Sequence, residues 1–382
     1  MVIGGHFQGL GVVRALAREG VPVVLLDHEP CLARFSRHVT RFLRCPDISS
    51  EAETLDFFER ISDREGLESA VVFATDDETV HFLSRHRDVL GRLYRLTTPE
   101  WDVVRWVFQK KNTYPLAETL GIPVPKTWYP ACEGDLDEIE GPYPLIVKPS
   151  VMRPFFKATG RKMFRAANRM ELVKAYERAC SVVPPDEVMI QEEIPEVADN
   201  LYSFCPLFED GRVLAQVTAK RSRQHPMDFG HATTFAESVS IPELERLGTR
   251  FLTSIHYRGL CEVEFIMDKR DGLYKLLEVN PRIWGWHTLA VRAGVNLPFH
   301  QYLRALGRPV QAPKPRTGVK WIRLTTDVVT AVSEIAKGRL DIGRYLESLK
   351  GDKEWDVFSL NDPLPFFGEI FLLPYLWSKR GF

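Results

Sequence analysis

Residues 259–285 read GLCEVEFIMDKRDGLYKLLEVNPRIWG, and this stretch decides the fold. Two runs of alternating apolar and polar residues flank the turn-forming DKRDG, so the stretch predicts a β-hairpin. Side chains on a strand alternate between its faces, which puts Glu262 and Glu264 on one face. Glu278 and Asn280 share a face of the second strand for the same reason. Pairing of those faces would collect three carboxylates and one amide on one patch.

Such a patch needs either open water or a cation, because carboxylates so close together repel one another and are costly to desolvate. Oxygen ligands of this kind suit Mg²⁺, particularly Mg²⁺ that keeps some waters and also binds phosphates. A solvated amphipathic hairpin is the simpler alternative. However, Glu278 and Asn280 lie in LLEVNP, which is too apolar for an ordinary exposed edge. The hairpin therefore predicts a magnesium site, and Arg282 adds a fixed cation beside it.

Length and composition exclude several classes of protein. A chain of 382 residues has room for two or three domains. Its 50 Lys and Arg nearly balance its 51 Asp and Glu, which leaves no basic footprint for nucleic acid. The six cysteines are scattered without zinc-site spacing, which favours reduced thiols and a cytoplasmic location. We expect no signal peptide and no transmembrane segment, since the apolar run 366–377 is too short to span a bilayer.

The N-terminal residues 2–30 predict a strand, a glycine turn, a helix and a second strand, which is the βαβ opening of a parallel sheet. The glycine turn, GGHFQGLG at 4–11, departs from GxGxxG and favours a structural role over nucleotide binding. A second buried strand is expected at 70–75. The acidic residues 76–78 that follow it are expected to cap the next helix. This unit raises one alternative of a different class, a nicotinamide-dependent oxidoreductase.

A second unit begins near Val103. It opens with a helix that carries Lys110 and ends at Gly121, and the extended segment IPVPKT follows. Lys148 closes the apolar strand PYPLIVKP, a position that a snorkelling lysine commonly takes. The further expected elements are a strand at 188–195, a hairpin of 200–207 with 213–220, a helix at 286–293 and a proline-rich linker at 307–315.

Together these segments resemble the ATP-grasp superfamily of ligases from Val2 to about Leu306. The motifs LGIPVPKT, YPLIVKPS, MIQEEIP and YRGLCEVEF, the last followed by KLLEVNPRIWG, occur in the order of that superfamily. The chain is most similar to its carbamoyl-phosphate-synthase-like and D-aspartate-ligase-like carboxylate–amine ligases. Members of that branch often end in a segment like NDPLPF, seen here at 361–366.

The resemblance implies a fold of the α/β and α+β classes in three parts. Residues 1–102 would form a Rossmann-like pre-ATP-grasp domain. Residues 103–308 would form a two-lobed ATP-grasp domain with a lid subdomain at about 125–195. Residues 309–382 would be a linker and a C-terminal extension. The sequence leaves open a homo-oligomer and a peripheral membrane contact of the tail, although prolines in 363–374 disfavour one long amphipathic helix there.

The resemblance also implies which residues bind ATP. Lys148 and Lys110 would contact its phosphates, with Lys111 as a rival for the second place. Many relatives cover the phosphates with a glycine-rich loop, whereas residues 150–165 hold one glycine and several cations. We expect Lys162 to contribute charge there, with a solvated basic loop as the alternative. The remaining contacts are expected from Gln191, Glu192 and Ile194 at the adenine and from Asp199 or Glu196 at the ribose.

Two Mg²⁺ ions would be held by Glu264, Glu278 and Asn280, with Glu262 as an auxiliary ligand. The sequence leaves Mn²⁺ open as a substitute. Arg282, together with Lys148, would stabilise charge during catalysis. The substrate candidates are Arg223, for which a surface role is the alternative, and Trp284, for which core packing is the alternative. His6 and His231 have no feature that distinguishes them from ordinary loop histidines.

The implied reaction is an ATP-dependent ligation of small molecules. A substrate carboxylate would attack the γ-phosphate of ATP to give an acylphosphate and ADP, and an amine would then displace phosphate. The nearest alternative is an ATP-grasp enzyme that uses bicarbonate and forms carboxyphosphate or transfers a carbamoyl group.

Overall fold

The structure, a computed structural model, describes residues 1–195, 197, 199–227, 230 and 232–380, excluding the side chains of 377–380. The N-terminal part contains a parallel sheet with strand order β3-β2-β1-β4-β5. Its strands are β1 (Val2–Ile3), β2 (Val23–Asp27), β3 (Val39–Arg44), β4 (Val71–Ala74) and β5 (Arg95–Leu96). Its helices are α1 (Phe7–Ala17), α2 (Glu51–Arg64), α3 (Asp77–Arg85), α4 (Arg87–Leu93) and α5 (Trp101–Phe108).

The predicted βαβ opening is present, with β1 between β2 and β4. Its glycine turn is held by a hydrogen bond in which the Gly5 amide donates to Asp27 Oδ2 at 2.6 Å. Gly4 has a φ of +93°, which only glycine adopts easily. Asp27 therefore serves the turn itself, in agreement with the structural role that the sequence favours.

A second, antiparallel sheet has the strand order β6-β9-β7-β8. Helix α6 (Lys110–Thr119) leads into it. The strands are β6 (Thr127–Trp128), β7 (Leu145–Pro149), β8 (Phe164–Ala166) and β9 (Val188–Glu192), and the helices are α7 (Met152–Thr159) and α8 (Arg169–Cys180). A separate apolar core that includes Phe155, Leu172 and Ile190 lies beneath this sheet, and the lid subdomain at about 125–195 stays a prediction.

The central sheet has the order β15-β14-β10-β11-β12-β16-β17, and β13 pairs with β10. Its strands are β10 (Leu201–Glu209), β11 (Arg212–His225), β12 (Ala232–Val239), β13 (Gly259–Leu260), β14 (Glu262–Asp268), β15 (Leu273–Asn280), β16 (Lys320–Ile322) and β17 (Lys353–Trp355). Its helices are α9 (Pro242–Ser254), α10 (Thr288–Arg292) and α11 (Leu297–Ala305), and the C-terminal ones are α12 (Leu324–Ala336), α13 (Ile342–Ser348) and α14 (Leu364–Arg380).

Three sequence expectations were wrong in detail. The helix expected to run to Gly121 is divided at Gln109 into α5 and α6. The basic segment 150–165 is not a loop, because it contains α7. The tail forms one helix despite its prolines: Pro365 lies in the first turn, where its missing N–H costs nothing, and Pro374 lies inside α14. The strands β16 and β17 also extend the central sheet, so part of the C-terminal extension is built into it.

None of the helices in the described part of the chain has the length and apolar character needed to cross a membrane. The mixed α/β class is confirmed, whereas the domain boundaries at 102 and 308 stay predictions.

Candidate active site

The hairpin of β14 and β15 brings the predicted carboxylates together. Glu262 pairs with Asn280 across the strands, and Glu264 pairs with Glu278. The Asn280 amide donates to Glu264 Oε1 at 2.8 Å and to Glu262 Oε2 at 3.2 Å. The pairing shifts by one residue after Glu264, and Leu277 is the extra residue. This bulge leaves the carbonyl of Leu277 to accept a hydrogen bond from the Tyr114 hydroxyl at 2.8 Å.

Arg221 of β11 is a site residue that the sequence reasoning missed. Its guanidinium donates to Glu264 Oε2 at 2.5 Å and lies 3.8 Å from Glu262 Oε1. Burial, and then the charge of Glu264, raise the pKa of Glu262 above its ordinary value. Ser203 donates to Glu262 at 3.0 Å. A carboxyl that favours its protonated form is a poor cation ligand, which supports the auxiliary role expected of Glu262.

Glu278 forms an ion pair with Lys110, the first residue of α6. Burial alone would raise the pKa of Glu278, but Lys110, and then Lys162, lower it below the ordinary value. The Glu278 side chain is still 37% exposed, so a ligand can reach it. Lys111, the predicted rival, points elsewhere and pairs with Glu187. The structure therefore favours Lys110 as the lysine of this site.

Lys162 reaches the same carboxylates from the segment that follows α7. Its ammonium donates to the carbonyl of Gly230 at 3.0 Å. Burial lowers the pKa of Lys162, while Glu278 and Glu264 oppose that shift. Lys162 thus adds a cation beside the carboxylate patch, as the sequence predicts for this segment.

Arg282 faces the patch from the other side. It donates to both oxygens of Asp77 at 2.7 and 3.2 Å, and to Asn280 Oδ1 at 3.3 Å. Two of the acidic residues 76–78 have different roles. Asp76 caps α3 by accepting from the Thr79 amide at 2.8 Å, whereas Asp77 accepts from Arg282. The pairing of Arg282 with Asp77 was not foreseen. It links the start of α3 to the residue that follows the carboxylate hairpin by two positions.

Lys148 is buried beneath the patch. Its ammonium donates to the Tyr114 hydroxyl at 2.8 Å and to Gln191 Oε1 at 2.7 Å. Tyr114 in turn donates to Leu277 of β15, so a continuous hydrogen-bond chain links the strand of Lys148 to the carboxylate hairpin. The Gln191 amide also donates to Thr127 at 2.7 Å. Lys148 is held in one orientation by these partners.

Of the residues expected at the adenine and the ribose, Gln191 and Glu192 end β9, and Ile194 and Asp199 follow it. Glu192 accepts from the Lys126 amide at 3.0 Å, from Lys275 at 3.2 Å and from Arg270 at 2.7 Å. Ile194 is buried against Leu201 and Ile266. Asp199 pairs with Lys220 at 2.8 Å. Glu196, the alternative to Asp199, lies outside the described residues.

The two substrate candidates have structural contacts. Arg223 is buried, donates to both oxygens of Asp327 at 2.8 and 2.9 Å, and stacks on the ring of Phe235. This contact favours a structural role that ties β11 to α12. Trp284 is 1% exposed and packs against Trp286 with ring centroids 5.5 Å apart. Core packing, the alternative considered from the sequence, thus describes Trp284. His231 lies outside the described residues.

Glu264, Glu278 and Asn280 fit a magnesium site by the chemistry of their donors. The two carboxylates and an amide oxygen are hard ligands that leave positions for water and phosphate. Among the described residues no group of three or more His, Cys, Asp and Glu side chains is placed to hold a metal. Asn280 presents its nitrogen to Glu264, and a half-turn of the amide would present its oxygen instead.

Comparisons with known proteins place the carboxylate hairpin within a matched family region. Residues 196–327, which contain the carboxylate hairpin, match a family model described as ATP-grasp in the biosynthetic pathway with Ter operon. The predicted resemblance to ATP-grasp enzymes is thereby confirmed.

Two curated relatives and one solved structure illustrate the likeness. The chain is 25% identical over 244 residues to the D-aspartate ligase of Enterococcus faecium, covering 59% of this chain and 55% of that one. It is 23% identical over 326 residues to the carbamoyl phosphate synthase large chain of Thermomicrobium roseum, covering 82% and 29%. The biotin carboxylase domain of 2-oxoglutarate carboxylase from Hydrogenobacter thermophilus, solved with MgADP and bicarbonate, has the same fold, with a TM-score of 0.64 at 19% identity, covering 84% and 72%.

The chain spans only 7 to 8% of the length of the acetyl-CoA carboxylases that it also matches.

His287, just beyond the hairpin, provides a pH prediction. The imidazole is buried, donates from Nδ1 to the Trp284 carbonyl at 2.8 Å, and burial lowers its pKa to about 4. An unfolded histidine binds a proton below about pH 6.5, so the folded state loses stability as the pH falls from there towards 4. We expect a loss of about 2 kcal/mol in the free energy of unfolding between about pH 7 and pH 5, measured by urea denaturation.

His287→Gln is the comparison that isolates this effect. The variant should show a smaller loss over the same pH interval, because glutamine does not titrate. Equal losses in the two proteins would contradict the assignment.

Proposed function

We propose that this protein is an ATP- and Mg²⁺-dependent carboxylate–amine ligase. One observation carries the proposal: the carboxylate patch of Glu264 and Glu278 is met by cations from separate parts of the fold. Lys110 comes from α6, Lys162 from the segment after α7, and Arg282 from beyond β15. Carboxylates bordered by lysine and arginine suit a polyphosphate bound to a divalent cation. The carboxylates can bind the divalent cation, and the lysine and arginine side chains can bind the phosphates.

The cations have separate positioning roles in this proposal. Lys110 and Lys148 hold the phosphates of ATP, and Tyr114 and Gln191 keep the Lys148 ammonium pointing into the cleft. Gln191, Glu192 and Ile194 would contact the adenine, and Asp199 would contact the ribose. Lys162 covers the γ-phosphate from the lid side, in place of a glycine-rich loop.

Glu264, Glu278 and Asn280 would hold two Mg²⁺ ions, which neutralise the phosphate oxygens and orient the γ-phosphate. Arg221 pairs with Glu264 and Lys110 pairs with Glu278, so each carboxylate has a cationic partner while the nucleotide is absent. Arg282, oriented by Asp77, stabilises the negative charge that develops on the reacting acyl group.

The bond changes follow from this arrangement. A substrate carboxylate oxygen attacks the γ-phosphorus in line, and ADP leaves with the electrons of the broken P–O bond. The amine nitrogen then attacks the acyl carbon, phosphate leaves, and the amine releases a proton as the amide forms. Positioning and charge neutralisation account for most of the catalysis.

A screen of ADP release tests the proposal. Purified protein with Mg²⁺ and ATP is offered pairs of amino acids and small carboxylic acids, and any product is identified by mass spectrometry. ADP release that requires both a carboxylate and an amine supports the ligase. Release that no such pair stimulates counts against it.

A bicarbonate-using reaction is the second candidate. It is favoured by the likeness to carbamoyl phosphate synthase and to a carboxylase fold solved with bicarbonate. Bicarbonate would take the place of the substrate carboxylate and form carboxyphosphate. ADP release that bicarbonate stimulates in the absence of an amino acid would favour this candidate over the ligase. The ATP-grasp likeness favours both over a nicotinamide-dependent oxidoreductase.

Lys148→Ala gives a prediction for nucleotide binding. Loss of one charge-assisted contact to phosphate should raise the KM for ATP by about 10- to 100-fold. Steady-state ADP release measures this change. Lys174→Ala, which removes an exposed lysine of α8, is the matched control and should leave the KM unchanged. An unchanged KM in Lys148→Ala would contradict the role of Lys148.

A further inference from the structure

The tail helix α14 exposes an apolar face to solvent. Leu364, Phe367, Ile370 and Phe371 are 58, 62, 47 and 79% exposed. The opposite side of the helix packs on the protein through Leu372 and Leu376, which are nearly buried. Among its residues 364–376 the one charged side chain is Glu369, and that carboxylate is buried. A helix face in water normally carries polar residues, so this face is unusual.

Exposed apolar side chains are also concentrated in this region. Of the 17 large hydrophobic residues that are exposed in the described part of the chain, 12 lie between Val328 and Leu373. Scattered exposure of single residues is ordinary, whereas Leu364, Phe367, Ile370 and Phe371 of α14 lie within about two turns of one helix and form a contiguous face.

A strongly basic segment borders this apolar face. Residues 30–46 contain four arginines and no aspartate or glutamate. Phe35 of this segment, itself 40% exposed, packs on α14 so closely that a Cβ on Gly368 would lie 2.4 Å from its ring. The Arg37 amide donates to Asp362 at 3.1 Å, just before α14 begins. Arg34 and Arg37 are exposed and lie on either side of Phe35 and Ser36 in the sequence, which places both residues at the border of the apolar helix face.

Charge decides between the possible occupants of this surface. A second copy of the helix face would offer the arginines no carboxylate, because Glu369, the one acidic residue of 364–376, is buried. An anionic lipid surface instead offers acyl chains to the phenylalanines and phosphates to the arginines. Arginine side chains can keep their charge at the headgroups while aromatic side chains enter the boundary below.

We propose that this surface, the tail face, docks on an anionic lipid bilayer. It consists of Phe35, Leu364, Phe367, Ile370 and Phe371, with Arg34 and Arg37 at its border. The helix would lie in the plane of the interface. Its buried side is anchored by Glu369, which accepts from Arg323 at 2.7 Å, so the helix and the catalytic domain would orient together. The inference is independent of the reaction that the active site catalyses.

Co-sedimentation with vesicles tests the proposal. The full-length protein is mixed with vesicles of phosphatidylcholine alone or of phosphatidylcholine with phosphatidylglycerol. We expect sedimentation with the anionic vesicles and little with the neutral ones. Phe367→Ser with Phe371→Ser should weaken binding by about 10-fold or more, because both side chains are exposed and bury apolar area only on docking. Arg34→Gln with Arg37→Gln should weaken binding about 10-fold, and added salt should do the same.

Matched controls remove similar groups elsewhere on the surface. Met170→Ser with Leu273→Ser removes two exposed apolar side chains, and Arg64→Gln with Arg92→Gln removes two exposed arginines. Both should bind as the unchanged protein does. Circular dichroism of every variant verifies the fold.

Two results would overturn the proposal. One is failure to sediment with either vesicle. The other is a dimer in light scattering that the phenylalanine substitutions dissociate, since that result assigns the face to a second copy.

Discussion

Glu278→Gln is expected to reduce Mg²⁺-dependent ADP release by about 100-fold or more. The substitution removes the carboxylate that is opposite Glu264 across the hairpin and that is paired with Lys110. A neutral amide in that position binds a divalent cation much less well. Steady-state ADP release measured over a range of Mg²⁺ concentrations records the change. Glu177→Gln, on the exposed side of α8, is the control and should retain full activity.

A second variant separates loss of the metal ligand from an indirect effect. Glu278→Gln leaves the Lys110 ammonium, which is nearly buried, without its partner, and that alone could disturb the site. Adding Lys110→Met to Glu278→Gln removes the stranded charge. Because Lys110 is itself proposed to hold phosphate, the measurement on the double variant is Mg²⁺ binding without nucleotide rather than activity. If the double variant bound Mg²⁺ as the unchanged protein does, the metal assignment of Glu278 would be wrong. Normal ADP release by the Glu278→Gln single variant would also contradict the metal assignment of Glu278.

Arg323→Met is expected to lower the free energy of unfolding by about 3 to 5 kcal/mol. Arg323 is 3% exposed and donates to Asp356 at 2.5 Å and to Glu369 at 2.7 Å. Its guanidinium also lies 4.1 Å from the ring centroid of Phe7. Removing the cation would leave two buried carboxylates without compensation. Urea denaturation followed by circular dichroism measures the loss.

The combination of Arg323→Met with Asp356→Asn and Glu369→Gln tests the reason for that loss. Removing all three charges together should restore much of the stability, because no buried ion then remains. Arg344→Met, on the exposed surface of α13, should change the free energy of unfolding by less than about 0.5 kcal/mol. A triple variant as unstable as Arg323→Met would show that packing on Phe7, rather than charge, sets the effect.

The hairpin could be predicted from the sequence in some detail. Alternation and a turn sequence are local signals, so both strands and the shared face of Glu262 and Glu264 followed from them. The structure pairs Glu264 with Glu278 and Glu262 with Asn280, as the patch requires. The same local signals revealed the strand of Lys148 and the opening βαβ unit.

Arg221 could not be predicted with comparable ease. Its contact with Glu264 depends on β10 lying between β11 and β14, which is an arrangement between distant parts of the chain. The sequence shows only that Arg221 is an arginine just after the predicted strand 213–220, and the same is true of Arg223. What distinguishes the two is the partner: Arg221 faces the carboxylates, whereas Arg223 faces Asp327. Asp77 was missed as the partner of Arg282 for the same reason.

The C-terminal region was the least predictable. The strands β16 and β17 are three residues each, too short for a clear alternating pattern. The prolines predicted a tail without one long helix. However, Pro365 lies in the first turn of α14, where proline is tolerated, and burial of Leu372 and Leu376 compensates for Pro374 inside the helix. Tertiary packing, which a short stretch of sequence does not reveal, outweighed the low helix propensity of proline.

Asp362 has a consequence for how this protein is made. It accepts from Arg14 at 2.9 Å and from Ser36 at 2.7 Å, and one apolar core includes both Val2 and Val357. A nascent chain therefore gains these contacts only after residue 362 has left the ribosome. Until then the apolar residues that share a core with Val357 stay incompletely covered, so we expect chaperones that shield nascent chains to bind this part of the chain.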